Sequence, residues 1–161
     1  MANFADHISQ SRKNLSFLQE INSLSVHYRD WDVTVCYYVA VHLVNSHIAS
    51  ISNLHYRKHE EVSNALNPYL ILSLTKVPET VYLAYTQLQN LSRRSRYLIS
   101  ENMSNRSIDA NITYDKHFKR ALVHLETLLT FVESTYSQKF EKISIHCNEA
   151  RAIPFNHFLV K

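Results

Sequence analysis

The sequence predicts an all-α fold: an antiparallel, up-and-down bundle of four long helices with one or two short helices. The 161 residues include no glycine, the residue that supplies the positive φ angles of hairpins and bulges, so Asn and Ser are expected at caps and turns. Four long segments repeat apolar side chains at three- and four-residue steps, the period of an α-helix. The length and the hydrophobic share of 45% match one domain over residues 1–161.

The first half of the chain contains two predicted long helices. Residues 4–25 carry apolar side chains at helical spacing and predict the first of them. In residues 31–52 almost every position is apolar or aromatic, so this helix is expected at the centre, buried on most sides. Residues 55–66 predict a short helix that Pro68 ends, and residues 69–74 form a second short apolar piece.

The second half contains the other two long helices. Pro78 suits the first position of a helix, because its missing N–H has no partner there, and the apolar repeat continues to about residue 100. Residues 100–112, rich in Ser, Asn and Asp, predict a loop. A continuous apolar stripe over residues 113–140 predicts a helix roughly 40 Å long. Residues 141–161 form a C-terminal tail of uncertain structure.

The composition excludes several classes of protein. Walker A loops, Rossmann dinucleotide loops and nucleophile elbows need glycine where the backbone approaches a ligand or turns sharply. The longest nearly apolar run, residues 33–44, has 12 residues, whereas a membrane-spanning helix needs about 20. We therefore expect no membrane partner. The two cysteines and the polar N-terminal residues favour a soluble, cytoplasmic protein.

The net charge of +3 is concentrated in the middle of the chain. Residues 55–106 carry a net charge of +3, whereas residues 1–54 carry −1. Much of this excess lies in the Arg-Arg-Ser-Arg cluster at residues 93–96. Two interpretations stay open: the cluster is a patch that faces an anion, or it is the solvated end of a helix.

Polar side chains recur along the predicted central helix. Thr34, Tyr38 and His42 are spaced by four residues, so they share one face of a helix that we expect to be mostly buried. Buried polar groups are almost always hydrogen-bonded. The presence of His42 on this helix therefore has two explanations: a structural role, in which a neighbouring hydroxyl or carboxylate holds the buried imidazole, or a functional role.

Three segments in combination resemble a known family. They are Asp-Trp-Asp at residues 30–32 followed by Tyr38-x-Ala-x-His42, a histidine that opens a short helix, and Leu-Ser-Arg-x-x-Arg-Tyr at residues 91–97. This combination resembles a bacterial branch of the HEPN-type helical domains over about residues 28–100. The resemblance implies a bundle of four or more helices, often dimeric. Members of that superfamily cut or bind RNA, or are tied to nucleotides or toxin–antitoxin systems.

The resemblance also implies a site. It marks His42 and His59 as acid/base or phosphate-binding groups, and Arg96 as a clamp for phosphate. An imidazole can move a proton near neutral pH, and a guanidinium can hold a phosphate or the charge that develops on it. The residues expected to bind or orient the substrate are Asp32, Tyr38, Tyr97 and Arg93.

The expected function is therefore binding of RNA or a nucleotide, with a divergent, metal-independent endoribonuclease activity left open. Nuclease members of the superfamily share an Arg followed after four to six residues by a His, and this chain has one match, Arg151 to His157. Ala152 stands where a polar residue is usual, and Pro154 interrupts any helix. We interpret this match as accidental.

Two other functions stay open. One is a non-catalytic interaction and dimerisation module, in which the His/Arg cluster is structural. The other is a metal-dependent bundle, because His55 and His59 would share a helix face if the chain is helical from residue 55. With no third ligand in view, neither a metal nor a cofactor is predicted. A homodimer is expected by analogy with the superfamily.

Overall fold

The computed structural model describes residues 2–56, 58–97 and 113–161, and over them the protein is a predominantly helical bundle. This confirms the predicted fold class, with four long helices and one short one. The helices are α1 (Phe4–Asn22), α2 (Arg29–Ser52), α3 (His59–Leu66), α4 (Glu79–Tyr97) and α5 (Asp115–Tyr136).

Contacts between helix ends show that α1 and α2 are antiparallel. Asn22, the last residue of α1, donates from Nδ2 to Oδ2 of Asp32 near the start of α2, at 3.2 Å. His7, near the start of α1, lies against His42 in the second half of α2. The start of each helix therefore packs beside the end of the other.

Two further contacts give the directions of α4 and α5. Arg29 Nε, at the start of α2, is 2.7 Å from Oδ1 of Asp115 at the start of α5, so these two helices begin on the same side. Thr113, just before α5, donates to the Ser95 hydroxyl near the end of α4 at 3.2 Å. The directions of the long helices therefore alternate along the chain, as predicted.

α2 lies at the centre of the core. It packs against α1, α4 and α5, and α4 also packs against α5. Most of its residues are buried, as its nearly continuous apolar sequence predicts. Its side chains form one continuous core with those of the surrounding helices, in which the largest fully buried members are Tyr37, Tyr85 and Phe118.

Several helix ends differ from the prediction. α1 ends at Asn22 and not at residue 25, and α5 ends at Tyr136 and not at residue 140. The residues after α2 and α5, Asn53 and Ser137, adopt left-handed φ angles of 54° and 52°. In a chain without glycine these polar residues end the helices, which confirms the expected use of Asn and Ser. The predicted loop over residues 100–112 lies outside the described residues.

The C-terminal tail is ordered, which the sequence did not reveal. Its two three-residue strands form a parallel pair with Ile143 opposite Phe158. The tail also contacts the end of α1, because the backbone N–H of His146 donates to Oδ1 of Asn22 at 2.6 Å. Strands of three residues are too short to show a period. The elements are β1 (Ile143–Ile145), a 3-10 turn (Asn148–Ala150) and β2 (Phe158–Val160).

Residues 69–74, the predicted second apolar piece, form turns between α3 and α4 and are not helical. We call this segment the apolar arm. The hydroxyls of Ser73 and Thr75 both donate to the carbonyl oxygen of Ala65 in α3. The backbone N–H of Val77 donates to the carbonyl of Leu66 at 3.2 Å. These bonds hold the arm beside α3.

Candidate functional site

The predicted short helix begins later than expected, and this places His59 at its first residue. The chain is helical over His59–Leu66, not from residue 55. Nδ1 of His59 is 2.8 Å from the hydroxyl of Tyr37 in α2, and that hydroxyl is 3.3 Å from the hydroxyl of Tyr85 in α4. His59 is exposed, whereas both tyrosines are fully buried. One edge of the imidazole therefore meets a buried pair of phenols, and the rest of the ring faces solvent.

The electrostatics of this cluster favour neutral side chains. Burial raises the pKa of Tyr37, although Arg96 acts in the opposite direction, and burial also raises the pKa of Tyr85. Both phenols therefore keep their protons. Burial and then the positive charge of Arg96 lower the pKa of His59. At neutral pH the imidazole of His59 is therefore uncharged. Arg96 influences its pKa, so two of the three predicted catalytic residues, His59 and Arg96, interact electrostatically.

His42 lies in a second cluster. Its Nδ1 is 3.1 Å from Nδ1 of His7 in α1, and Nε2 of His7 is 3.0 Å from Nδ1 of His55, which precedes α3. In the part of the chain that the structure describes, no contact joins His42 to His59. We expected His42 and His59 to form one site with Arg96. The contacts of His42 are with another cluster, so they do not support its place in that site.

The three imidazoles of this histidine chain form a continuous hydrogen-bonded row. His7 is almost fully buried, and burial followed by the charges of His42 and His55 lowers its pKa to about 4. Burial and His55 also lower the pKa of His42. In each of the two bonds one ring nitrogen donates and the other accepts, so the tautomer of His7 fixes the direction of both. Neither His7 nor His55 was expected here, because their partners are distant in the sequence.

His55 and His59, the two histidines that could share a helix face and bind a metal, have different hydrogen-bond partners. His55 bonds to His7, and His59 bonds to Tyr37. His7 uses its two ring nitrogens for two different neighbours, so the histidine chain does not converge on one point. Among the residues that the structure describes, no three His, Cys, Asp or Glu side chains are arranged to hold a metal ion.

Of the expected orienting residues, Asp32 lies away from the cluster and Tyr38 lies at its edge. Asp32 is buried and bonded to Arg29 at 2.8 Å and to Asn22, so it fixes the start of α2. Tyr38 is 42% exposed, and its ring lies 6.2 Å from that of Tyr37. α2 is mostly buried, as expected, but Tyr38 itself reaches solvent, whereas Thr34 on the same face is buried. The side chain of Tyr97 lies outside the part of the structure that is described.

A basic surface adjoins the end of α4. Arg93 and Arg94 are exposed there. The pKa of His117 in α5 is lowered by burial and then by the charges of Lys116, Arg94 and Arg120. The antiparallel packing of α4 and α5 therefore gathers cations from both helices at one end. We call Arg94, Lys116, His117 and Arg120 the basic face. Both interpretations of the arginine cluster stay open, since its exposed side chains fit a solvated helix end as well as an anion-facing patch.

The accidental motif match has a structural explanation. His157 is buried in the tail, and its Nδ1 and Nε2 each lie 3.1 Å from a carboxylate oxygen of α5, from Glu126 and Glu133 respectively. Neither contact has the angle of a well-formed hydrogen bond. Arg151 is exposed. The histidine therefore anchors the tail to α5.

The fold and the site together define an all-α bundle that carries a histidine–tyrosine–arginine cluster and, where the end of α4 meets the start of α5, a basic face. Comparison of the chain with protein-family models, with curated proteins and with solved structures gives no match. Within the described ranges, no helix combines the length and the apolar character that crossing a membrane requires.

Proposed function

We propose that the protein binds RNA at the His59–Arg96 cluster and the adjoining basic face, with divergent, metal-independent endoribonuclease activity at the same cluster. One observation carries the proposal: an exposed, neutral imidazole bonded to Tyr37 is acted on by the guanidinium of Arg96, in the last turn of α4, and the same turn carries Arg94 of the basic face. Phosphate contacts supply most of the affinity of proteins for nucleic acids. The resemblance to HEPN-type domains supports the same class of ligand.

The cluster contains groups suited to cleavage without a metal. When Nδ1–H of His59 donates to Tyr37, the phenol can donate in turn to Tyr85, and Nε2 on the opposite edge of the ring is left to accept a proton. The ribose 2′-hydroxyl of RNA would lose its proton to this nitrogen as it attacks the phosphorus. The bond from phosphorus to the 5′-oxygen would break, which leaves a 2′,3′-cyclic phosphate, and the departing 5′-oxygen would take a proton from the imidazolium of His59 or from water. Arg96 would stabilise the negative charge that develops on the phosphate.

The second candidate function is a non-catalytic interaction module in which these polar residues only stabilise the bundle. The observation that favours it is the apolar arm, whose side chains Ile71 and Leu72 are 90% and 91% exposed. The homodimer that the resemblance implies and the cytoplasmic location expected from the sequence are also part of the proposal.

RNA binding and cleavage by single-site variants distinguish these functions. The probe is a fluorescein-labelled, mixed-sequence single-stranded RNA, followed by anisotropy and by gel analysis of cleavage products. We expect Arg96→Ala to weaken binding at least tenfold and His59→Ala to abolish cleavage, with the Tm within a few degrees of wild type. Lys13→Ala, on an exposed position of α1, removes a cation elsewhere and should change neither.

A wild-type protein that neither binds nor cuts this RNA would contradict the proposal. Variants that unfold at much lower temperature, with the RNA affinity of the remaining folded protein unchanged, would favour the structural role. Leaving a buried hydrogen-bonding group without its partner costs about 1–3 kcal/mol, so such a role has a measurable signature.

A further inference from the structure

The apolar arm exposes aliphatic side chains to an unusual degree. Ile71 and Leu72 are almost fully exposed, and Leu74 is 81% exposed. Tyr69 and Leu70 are exposed as well. Isolated exposed apolar side chains are normal in monomeric proteins, but a contiguous patch marks a surface that another molecule covers.

The arm is held in place by specific contacts. The hydroxyls of Ser73 and Thr75 bond to the backbone of α3, and the phenol of Tyr69 donates to Glu79 at the start of α4. An exposed loop with its backbone fixed in this way presents a preformed surface, so little conformational entropy is lost when a partner covers it.

A groove of about 890 Å³ runs beside the arm. One wall is the arm itself, and the other comes from the end of α2, the following connection and α3. Between Glu61 and Lys76 the sequence contains no charged residue. The residues that line the second wall are Ser52, Leu54, Tyr56, Glu61, Asn64 and Ala65.

We propose that this surface joins two copies of the chain, with the arm of each copy seated in the groove of the other. A projecting apolar segment and a groove that the same segment lines lie side by side on one chain, which is the requirement for a self-complementary, two-fold interface. The arm carries no charge, so it meets the groove of its own copy, whose lining includes Glu61, without like-charge repulsion. This inference is independent of RNA binding and uses none of the residues assigned to the RNA site.

The area of the surface also fits a stable dimer. The exposed side chains of the arm, together with Leu54 in the groove, amount to roughly the 800 Å² that each partner of a stable interface buries. The contact would be mostly aliphatic, with Tyr69 at its edge. Interfaces between identical subunits are richer in apolar surface than transient ones.

Sedimentation velocity of the full chain tests the proposal. We expect the wild type to sediment with twice the mass of 18.8 kDa across roughly 1–100 µM, with dissociation on dilution. Ile71→Asp with Leu72→Asp should raise the dimer Kd at least tenfold, with an unchanged far-UV circular dichroism spectrum. Val26→Asp changes a side chain that is also exposed, outside the arm, and should leave the dimer intact.

Two results would overturn the inference. One is a wild type that stays monomeric over this range, or a dimer that the double variant leaves unchanged. The other is a monomeric wild type that floats with phosphatidylcholine–phosphatidylglycerol vesicles, together with a double variant that does not float. That result would show that the arm binds lipid and not a second copy of the chain. Dimerisation that depends on residues 71 and 72, without vesicle binding, supports it.

Discussion

The histidines of this protein differ because each has a different neighbour. His7 is buried among imidazoles, His59 stands beside a guanidinium, and His157 lies between two carboxylates. The first two surroundings lower the pKa of the ring. In the third, burial lowers the pKa, but contact with Glu126 and Glu133 raises it by more. The local sequence around a histidine does not contain this information, because the partners come from other helices.

At the scale of single residues, we predict that His7 makes the fold sensitive to acid. Its pKa in the folded protein is about 4, well below the ordinary value of 6.5. The unfolded chain therefore binds a proton before the folded chain does, and stability is lost as the pH falls from about 6.5 towards 4. Between about pH 7 and pH 5 the loss from this one group is on the order of 2 kcal/mol.

Urea denaturation of the wild type and of His7→Gln at these two pH values measures this effect. The variant should be less stable at neutral pH, since His42 and His55 lose a partner, but its stability should fall less towards acid. His27→Gln, at an exposed position between α1 and α2, should keep the wild-type pH dependence. An equal fall in wild type and His7→Gln would show that the histidine chain does not cause acid sensitivity.

At the scale of elements, the helices followed from the sequence and the tail did not. The apolar stripes of α2 and α5 are long enough to establish their period, so their existence and burial were predictable. The ends of α2 and α5 depend on Asn53 and Ser137, which adopt left-handed φ angles. Many other Asn and Ser residues of this chain do not adopt such angles, so the residue type alone does not predict where a helix ends. The strands of the tail have three residues each and depend on contacts with α1 and α5.

We predict that the tail detaches at alkaline pH before the helices unfold. The pKa of His157 is raised by Glu126 and Glu133 against the effect of burial. Its contribution to stability is therefore fully present below the unfolded pKa of about 6.5 and is lost as the pH rises through the folded pKa. Hydrogen exchange should show less protection for β1 and β2 at high pH, while α2 keeps its protection.

His157→Ala should produce the same loosening at every pH, because it leaves two carboxylates facing one another without the imidazole. We expect it to cost roughly 1–3 kcal/mol. Arg151→Ala, an exposed neighbour in the same tail, is the matched control and should leave the exchange of β1 and β2 unchanged. Equal protection of the tail in His157→Ala and wild type would contradict the anchoring role.

At the scale of the whole molecule, part of the candidate site was predictable and part was not. His59 and Arg96 act on one another because α3 and α4 both lie beside α2, and the motif in the sequence named both residues. His42 is predicted at the same site only through the resemblance to HEPN-type domains. In the structure His42 contacts His7, which lies 35 residues earlier in the sequence. The two side chains meet because α1 packs antiparallel to α2.

The charge distribution of the molecule predicts a strong dependence of RNA binding on salt. Each phosphate contact on single-stranded RNA contributes about −0.7 to the slope of log affinity against log salt concentration. Replacing both Arg94 and Arg120 with Gln should therefore reduce the magnitude of that slope by about 1.4. Lys139→Gln with Lys142→Gln removes the same charge from exposed positions in the tail and should leave the slope unchanged. An equal change in both double variants would show that RNA does not use the basic face.

The most direct test of RNA binding at the His59–Arg96 cluster is an NMR titration of protein labelled with ¹⁵N in the histidine rings. Short single-stranded RNA is added until binding saturates. The resonances of His59 should shift, whereas those of the exposed His27 should stay in place. Unchanged His59 resonances at saturating RNA, or a titration in which no histidine responds, would contradict the assignment of this cluster as the RNA site.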